Sequence, residues 1–410
     1  MDKFQELVAE AARCLDCRHK PCQAACPAQN DIPRFMASVR KGDFGAAKAI
    51  WDRTSNLPEL CGALCQQEVL CEGACTLNKV HKPVRIGAVE RGVALLFWGE
   101  TEQPATTVDH QHLVIGMGPA GLANAIAMAE AGYQVDAVDA NPRIGGAIWN
   151  LVPPFRFDAN DLSSIEVKLA KLGVRVRYNF AVGRDATLAD LVDRYDSVFV
   201  APGLDIPQLV PGFPGPHVFY AIDLLNRVRH SPVELDRLLG RRVAVVGLGS
   251  VACDMARTIA RLGRMVTILY RRTLADAPAS PKEIAETLAE GIPIEVLVNP
   301  TAFADGVVTC EKTALVRDDE HPRGRIVATG ESVSVAADAI VFAVGQVSSD
   351  ALFAGSGITL RPAVSPYATS DPKVFVGGDR VIREKRIVDA MTSGIEAARA
   401  IREAYPCGSR

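Results

Sequence analysis

Only three of the chain's eleven cysteines lie beyond residue 75. No basic-then-apolar segment follows Met1. The chain opens instead into the charged, helix-patterned "DKFQELVAEAARC", so no secretory leader is expected. Uninterrupted apolar runs are absent too. The longest candidate, "HLVIGMGPAGLANAIAMAEAGYQV", is broken by Gly116, Gly118, Gly121, Gly132 and Glu130. It reads as a strand and a buried helix, not a membrane span. Positive charge is not in excess. There are 45 Lys and Arg against 48 Asp and Glu, a net charge of -3, which argues against a broad nucleic-acid or anionic-membrane surface. There is no short-period repeat and no low-complexity tract. The seven His are scattered, and no Ser-His-Asp set is evident from spacing. What is left is a 410-residue chain, 48% hydrophobic, long enough for two or three domains and expected in the cytoplasm.

The other eight cysteines crowd into the first 75 residues. One set is Cys14-x2-Cys17-x4-Cys22-x3-Cys26, followed by Pro27. The other is Cys61-x3-Cys65-x5-Cys71-x3-Cys75. In a reducing compartment such crowding points to metal before disulfides. Zinc favours paired Cys-x2-Cys, and only Cys14 and Cys17 have that spacing. Iron–sulfur clusters take several thiolates from loops and often have Pro after a ligand. Eight thiols suffice for about two four-iron clusters. Spacing alone does not say which cysteine would serve which cluster. Cys253, Cys310 and Cys407 are isolated and read as core or surface thiols.

Residues 1–100 lack strand alternation. "FQELVAEAAR", "IPRFMASVRKGDFGAAKAIWD" and "VRIGAVERGVALLFWGE" read as helices between the cysteine loops. "TEQPATTVDHQ" (101–111) reads as a linker. Two strand–turn–helix units follow. In "VIGMGPAGL", Gly116, Gly118 and Gly121 have the G-x-G-x-x-G spacing, with Asp139 at the end of the next strand. The first glycine permits the turn, the second admits a pyrophosphate, and the third lets helix and strand pack. The acid is placed to bond ribose hydroxyls. The second unit, "VVGLGSVACD", has Gly247 and Gly249 followed by Ser250, Val251 and Ala252, so its third glycine is replaced. Its next strand ends in Arg271 and Arg272 where the first unit has an acid. Arginines there favour a 2′-phosphate, hence NADPH over NADH, although a pair of solvated surface arginines is the plainer reading. "VRVRYNFAV", "DSVFVAPG", "PIEVLV", "AIVFAVG" and "KVFVGG" read as further strands, and "RIVDAMTSGIEAARAIREAY" as a closing helix. Asp254 reads as a structural helix carboxylate.

The run "RCLDCRHKPCQAACPAQNDIP … TSNLPELCGALCQQEVLCEGACTLN … VRIGAVERG" resembles the N-terminal region of glutamate synthase small subunits. The electron-input half of dihydropyrimidine dehydrogenase shares it. So do the pyrimidine-reductase partner subunit and the large subunit of ferredoxin:NADP transhydrogenase. The likeness continues through both glycine motifs over nearly the whole chain. It implies one 4Fe–4S cluster on Cys14, Cys17, Cys22 and Cys75. It implies a second on Cys26, Cys65, Cys71 and Glu90, with Cys61 a non-ligand. Taken alone, Glu90 would read as a solvated helix carboxylate. The pyrimidine enzymes have Gln at the Glu90 position, and Gln66 stands where the family usually has Pro.

The resemblance also assigns FAD to the first unit. Pro119 and Ala120 belong to its glycine turn. "PRIGGAIW" contributes Gly145 and Gly146, and "VFVGGD" contributes Gly378 and Asp379, the latter toward the ribityl chain. Val182 is a further expected contact. So is Arg156 in "VPPFRF", where Leu151 and Phe157 depart from the family pattern. The helix starting near Arg386 would aim its N-terminus at the flavin ring, favouring an anionic reduced form. In the second unit Ala343 and Gly345 join the nucleotide contacts.

The implied architecture is α/β: an N-terminal all-α iron–sulfur domain (1–110), an FAD domain (111–205 and 346–410) and an NAD(P)H domain (206–345), both Rossmann-like. No stretch remains for a domain binding glutamine or uracil. The expected protein is an electron-input subunit serving a larger catalytic subunit or an electron-acceptor protein, most simply of the glutamate synthase type. Pyrimidine reduction and ferredoxin:NADP transhydrogenation are the alternatives, and a redox sensor that turns nothing over is a further one.

Overall fold

A computed structural model describes residues 3–101, 103–104, 106–158, 160–230, 237–317 and 324–406. It resolves into two compact units. One comprises Met1–Trp149, Pro154–Leu204 and Ser348–Arg410; the other comprises Asn150–Pro153 and Asp205–Val347. Cys407 lies outside the described residues.

The first unit begins with helices and turns only, among its described residues up to 101. The long apolar stretch at 32–51 is two helices, not one: Ile32–Arg40 and Phe44–Trp51. Gly42 breaks it with φ +73°, and the Asp43 carboxylate accepts the Ala46 N–H at 2.9 Å, capping the second helix. Ile32, Phe35, Met36, Leu57, Leu60 and Val89 form the local core, with Phe35 and Trp51 rings 4.5 Å apart. The stretch read as a linker is anchored at its end. Val108 is buried and its N–H reaches the Gly132 carbonyl at 2.8 Å.

A five-stranded parallel sheet follows, in the order Val374–Val376, Ser197–Val200, Gln111–Ile115, Gln134–Val138, Arg175–Arg177. Parallel sheets bury both faces, and Ser197–Val200 is buried along its whole length. "VRVRYNFAV" yields a strand only over Arg175–Arg177; Asn179 turns left-handed (φ +55°) and ends it. The second unit repeats the plan with Val218–Tyr220, Ala339–Phe342, Arg242–Val246, Met265–Tyr270 and Ile294–Val296, all parallel. It adds an antiparallel sheet that the sequence reading did not anticipate, Val298–Ala304, Val307–Val316 and Arg325–Ala336. Cys253 and Cys310 are both core thiols of this unit. Among the described residues no helix is long and apolar enough to cross a membrane.

In the first unit the closing helix, Ile387–Ala404, packs on the helix Pro119–Glu130. The fit is backbone against backbone. A Cβ on Gly394 would lie 2.1 Å from the Ala120 carbonyl oxygen, and Asn124 Nδ2 donates to the Gly394 carbonyl at 3.1 Å. Gly394→Ala should therefore lower stability by about 1–3 kcal/mol, as overpacking of a tight core does. The urea-unfolding midpoint reads this out; an unchanged midpoint would show that the two backbones separate freely.

Candidate redox site

Each set of thiols is positioned by unusual backbone. The turn after helix Lys3–Ala12 holds Asp16 (φ +47°) and Lys20 (φ +42°) in the left-handed region, which non-glycine residues rarely adopt. This turn brings Cys14, Cys17 and Cys22 to one open pocket, which Cys75 also lines. Ile32, Met36 and Val84 supply apolar walls. Thr76 Oγ1 lies 3.2 Å from Cys17 Sγ. Burial, and then the neighbouring Cys14 and Cys75 sulfurs, push the Cys22 thiol up to about 11. The Cys14 thiol is raised for the same first reason.

The second group is deeper. Cys26 and Cys71 are each 8% exposed. Cys65 caps helix Pro58–Leu64, its N–H bonding the Cys61 carbonyl at 3.0 Å. Glu90 sits in helix Ile86–Leu96. These two helices approach closely because both carry glycine at the crossing: a Cβ on Gly62 would lie 2.7 Å from the Arg91 nitrogen and 2.8 Å from the Gly87 carbonyl oxygen. Glu72, beside Cys71, accepts the Gly87 N–H at 3.0 Å and ties the cysteine loop to the same helix. Cys26, Cys65, Cys71 and Glu90 thereby face one another closely enough to interact electrostatically.

Glu90 is not a solvated carboxylate. It is 6% exposed, and its Oε1 has no hydrogen-bond partner. Burial drives its pKa well above the usual carboxylate range; the nearby Trp51 indole offsets this only in part. A buried carboxylate without a partner is costly unless something positive meets it. A metal cluster on Cys26, Cys65 and Cys71 fits that requirement. Among the described residues no three His, Cys, Asp or Glu side chains close on a single ion, as tetrahedral zinc requires. Cys61 is fully enclosed, with its Sγ 3.8 Å from Met391 Sδ, and burial raises its thiol pKa strongly.

The first glycine turn lies in the same compact unit. Gly116 has φ +91°, and a Cβ there would strike the Ala201 carbonyl oxygen at 2.3 Å. Gly118 faces open space toward Gly146 and begins helix Pro119–Glu130 with no side-chain cap, leaving backbone N–H groups for an anion. Gly121 packs on Gly116, where a Cβ would meet its carbonyl oxygen at 1.8 Å. Gly145 donates its N–H to Met117 O at 2.8 Å, which folds the Gly145–Gly146 pair over the turn. The Asp139 carboxylate accepts the Met117 N–H at 2.6 Å and Asn141 at 2.8 Å; burial raises its pKa. Ala120 is buried at the helix head beside Pro119. Gly378 reaches the same helix head, its N–H donated to Ser393 Oγ at 2.9 Å, and Asp379 follows it, its pKa raised by burial. Val182 bridges to Ala186, and Arg156 is partly buried in the turn before Phe157.

Helix Ile387–Ala404 joins the two regions. Its first residues bring Arg386 and Asp389, paired at 2.6 Å, within electrostatic reach of Cys65. One turn on, Met391 Sδ accepts from Ser55 Oγ at 3.3 Å. Asn56 Nδ2 donates to the Ala123 carbonyl at 2.8 Å. Sequence reasoning missed Glu72, Ser393, Asn124 and Arg386 as positioning groups; each acts across a long sequence separation that no local pattern marks.

In the second unit Gly247 (φ +118°) repeats the device, with the Ala343 carbonyl oxygen 2.4 Å from a would-be Cβ. Gly249 is open and begins helix Ser250–Arg261 without a side-chain cap. Ser250 Oγ donates to Glu283 at 3.0 Å, Val251 is partly buried, and Gly345 accepts the Gln208 N–H at 3.0 Å. Arg271 is exposed, whereas Arg272 is partly buried and donates to the Gly324 carbonyl at 3.0 Å. Asp254 is buried in the helix.

Comparison with known proteins agrees with this geometry. The family model for dihydropyrimidine dehydrogenase domain II, 4Fe-4S cluster, matches residues 2–101, and that for pyridine nucleotide-disulphide oxidoreductase matches residues 110–403. A glutamate synthase (NADPH) small chain from Halomonas elongata is 34% identical, over 97% of this chain and 91% of that protein. The NAD-dependent dihydropyrimidine dehydrogenase subunit PreT of Escherichia coli is 33% identical, over 97% and 94%. Mycobacterium tuberculosis FprA, solved with NADPH, shares the fold with a TM-score of 0.58 at 17% identity, over 73% of this chain and 87% of that one.

If the two groups of ligands are correctly drawn, iron and sulfide should each come to about eight per chain. Cys71→Ser should lose roughly half of both, while Cys61→Ser keeps the full complement. Equal losses in the two variants, by colorimetric iron and sulfide analysis, would break the assignment.

Proposed function

We propose that this chain, which belongs to the pyridine nucleotide-disulphide oxidoreductase family and to the branch containing glutamate synthase small chains and PreT, is an electron-input subunit. It takes electrons from NADPH and delivers them singly to a larger catalytic subunit. Bound FAD supplies the conversion between a two-electron hydride and single electrons, and 4Fe–4S clusters supply the one-electron relay.

The chain's own residues bind, orient and tune. Backbone N–H groups at the head of helix Pro119–Glu130 bind the FAD pyrophosphate, and Gly118 lets it come close. Asp139 accepts from the ribose and Asp379 from the ribityl side, and Gly378, Gly145, Gly146, Arg156 and Val182 line the remainder. The N-terminus of helix Ile387–Ala404 favours negative charge on the ring. Gly247, Gly249, Ser250, Val251, Ala343 and Gly345 take NADPH, and Arg271 reads its 2′-phosphate. Cys14, Cys17, Cys22 and Cys75 hold one cluster; Cys26, Cys65, Cys71 and Glu90 hold the other. We read the domains as 1–110, 111–205 with 346–410, and 206–345, in a cytoplasmic protein.

One observation carries the reading: helix Ile387–Ala404 packs on the helix that begins at the first glycine turn and brings Arg386 and Asp389 within electrostatic reach of Cys65. A protein that only passed a hydride would need no thiols there. Glutamate synthesis from glutamine and 2-oxoglutarate is the partner chemistry we favour, because Glu90 matches that branch. Pyrimidine reduction is the second reading, supported by the near-equal identity to PreT.

Purified holoprotein should reduce an artificial dye with NADPH. No dye reduction by FAD-replete, cluster-replete protein would leave a scaffold or sensor as the reading. Arg271→Ala should raise KM for NADPH at least about tenfold while changing KM for NADH little, as loss of a charge-assisted phosphate contact does. Arg272→Ala should do less, being turned to the Gly324 carbonyl. Equal effects on both nucleotides would remove the 2′-phosphate role.

A further inference from the structure

The two thiol groups differ in depth. Cys26 and Cys71 are buried and Cys65 is partly exposed, whereas Cys14, Cys17, Cys22 and Cys75 are all partly exposed. If electrons enter beside helix Ile387–Ala404, they leave at the shallower group, Cys14, Cys17, Cys22 and Cys75. The chain around that exit is basic. Residues 13–20 and 79–85 hold six Lys and Arg (Arg13, Arg18, Lys20, Lys79, Lys82, Arg85) and one carboxylate, Asp16, in a chain whose net charge is -3. The two segments are neighbours in space: Arg13 Nη1 donates to the Pro83 carbonyl at 3.0 Å, and Cys17 Sγ meets Thr76 Oγ1.

Part of that charge is already engaged. Glu10 pairs with Arg13 at 2.6 Å and Arg85 at 3.4 Å, and Asp31 pairs with Lys20 at 2.9 Å. Arg18, Lys79 and Lys82 are exposed and stand outside those pairs. Among them sit two large aliphatic side chains with nothing over them, Leu15 at 58% exposure and Val80 at 70%. An apolar centre with a rim of mostly basic charge, Asp16 being its one carboxylate, is the anatomy of a steered, short-lived protein contact.

We propose that this face, centred on Leu15 and Val80, docks a protein electron acceptor that presents an acidic surface. The proposal rests on the electron-input reading and names the partner's chemistry. At each encounter one electron leaves the reduced chain and one enters the acceptor; no bond forms and no proton moves. One NADPH, giving up a hydride, becomes NADP+ and releases one proton to solvent, while its two electrons reduce two such acceptors.

The test uses full-length holoprotein carrying Arg18→Glu, Lys79→Glu and Lys82→Glu, and an acidic 2Fe–2S ferredoxin as probe. The bimolecular rate of NADPH-driven ferredoxin reduction at low ionic strength should fall about tenfold or more, and its salt dependence should flatten, as loss of steering requires. Iron content and reduction of a small neutral dye should stay at the wild-type level. An unchanged ferredoxin rate with unchanged salt dependence overturns the proposal. So does loss of binding to vesicles of phosphatidylserine with the ferredoxin rate intact, which would make the face a membrane contact. Wild-type protein that reduces the dye but not the ferredoxin overturns the docking proposal alone. Wild-type protein that reduces neither overturns the electron-input reading and this proposal with it.

Discussion

The contact between Gly394 and the Ala120 carbonyl governs the first unit. With a would-be Cβ 2.1 Å from that oxygen, helix Ile387–Ala404 lies backbone against backbone on helix Pro119–Glu130, and Asn124 ties it there through the Gly394 carbonyl. The glycine turn and Gly378 are held at one end of this pair. The same helix carries Met391 against Ser55 and Cys61, and Arg386 toward Cys65. The thiol-bearing helices are thus registered against the nucleotide turn by a rigid bar, not by a linker. Interiors packed this tightly transmit position well, because a displacement at one end has nowhere to be absorbed.

The two nucleotide units solve the same steric problem alike and diverge at the next step. Gly116 and Gly247 each lie under a carbonyl from the adjacent strand, Ala201 in one and Ala343 in the other, which no side chain at either glycine would tolerate. Gly121 then allows contact with the turn that Ala252, buried in its own helix, does not need. The ends of the second strands separate the ligands. Asp139 binds back to the Met117 N–H and holds the turn in shape, while Arg271 extends into solvent. An acid that closes on its own loop suits a resident cofactor. An exposed cation suits a nucleotide that comes and goes.

Much of this was legible in the sequence where it was local. The cysteine spacings, the two glycine motifs and the apolar strands announce themselves within a few residues. Gly42 and Asp43, which split one expected helix into two, also carry a local signal, the turn glycine and the capping acid, that the apolar pattern around them outweighed. The antiparallel sheet was missed for a different reason. Arg325–Ala336 is exposed along most of its length, and its polar–apolar alternation is confined to the short run 332–336. The burial of Glu90 was illegible from the residues themselves. It follows from Gly62 meeting Gly87 across two helices, and only a family resemblance pointed to it.

Glu90 also bears on how the protein is made. A carboxyl group whose pKa is raised in the folded chain keeps a proton there that the unfolded chain has given up, so the metal-free fold loses stability as pH climbs above the ordinary glutamate range. The raised thiols of Cys26, Cys65 and Cys71 hold their protons in the same way. On the proposed ligand set, binding of a cluster here exchanges protons for metal charge, and the apoprotein is the form most exposed to cellular quality control.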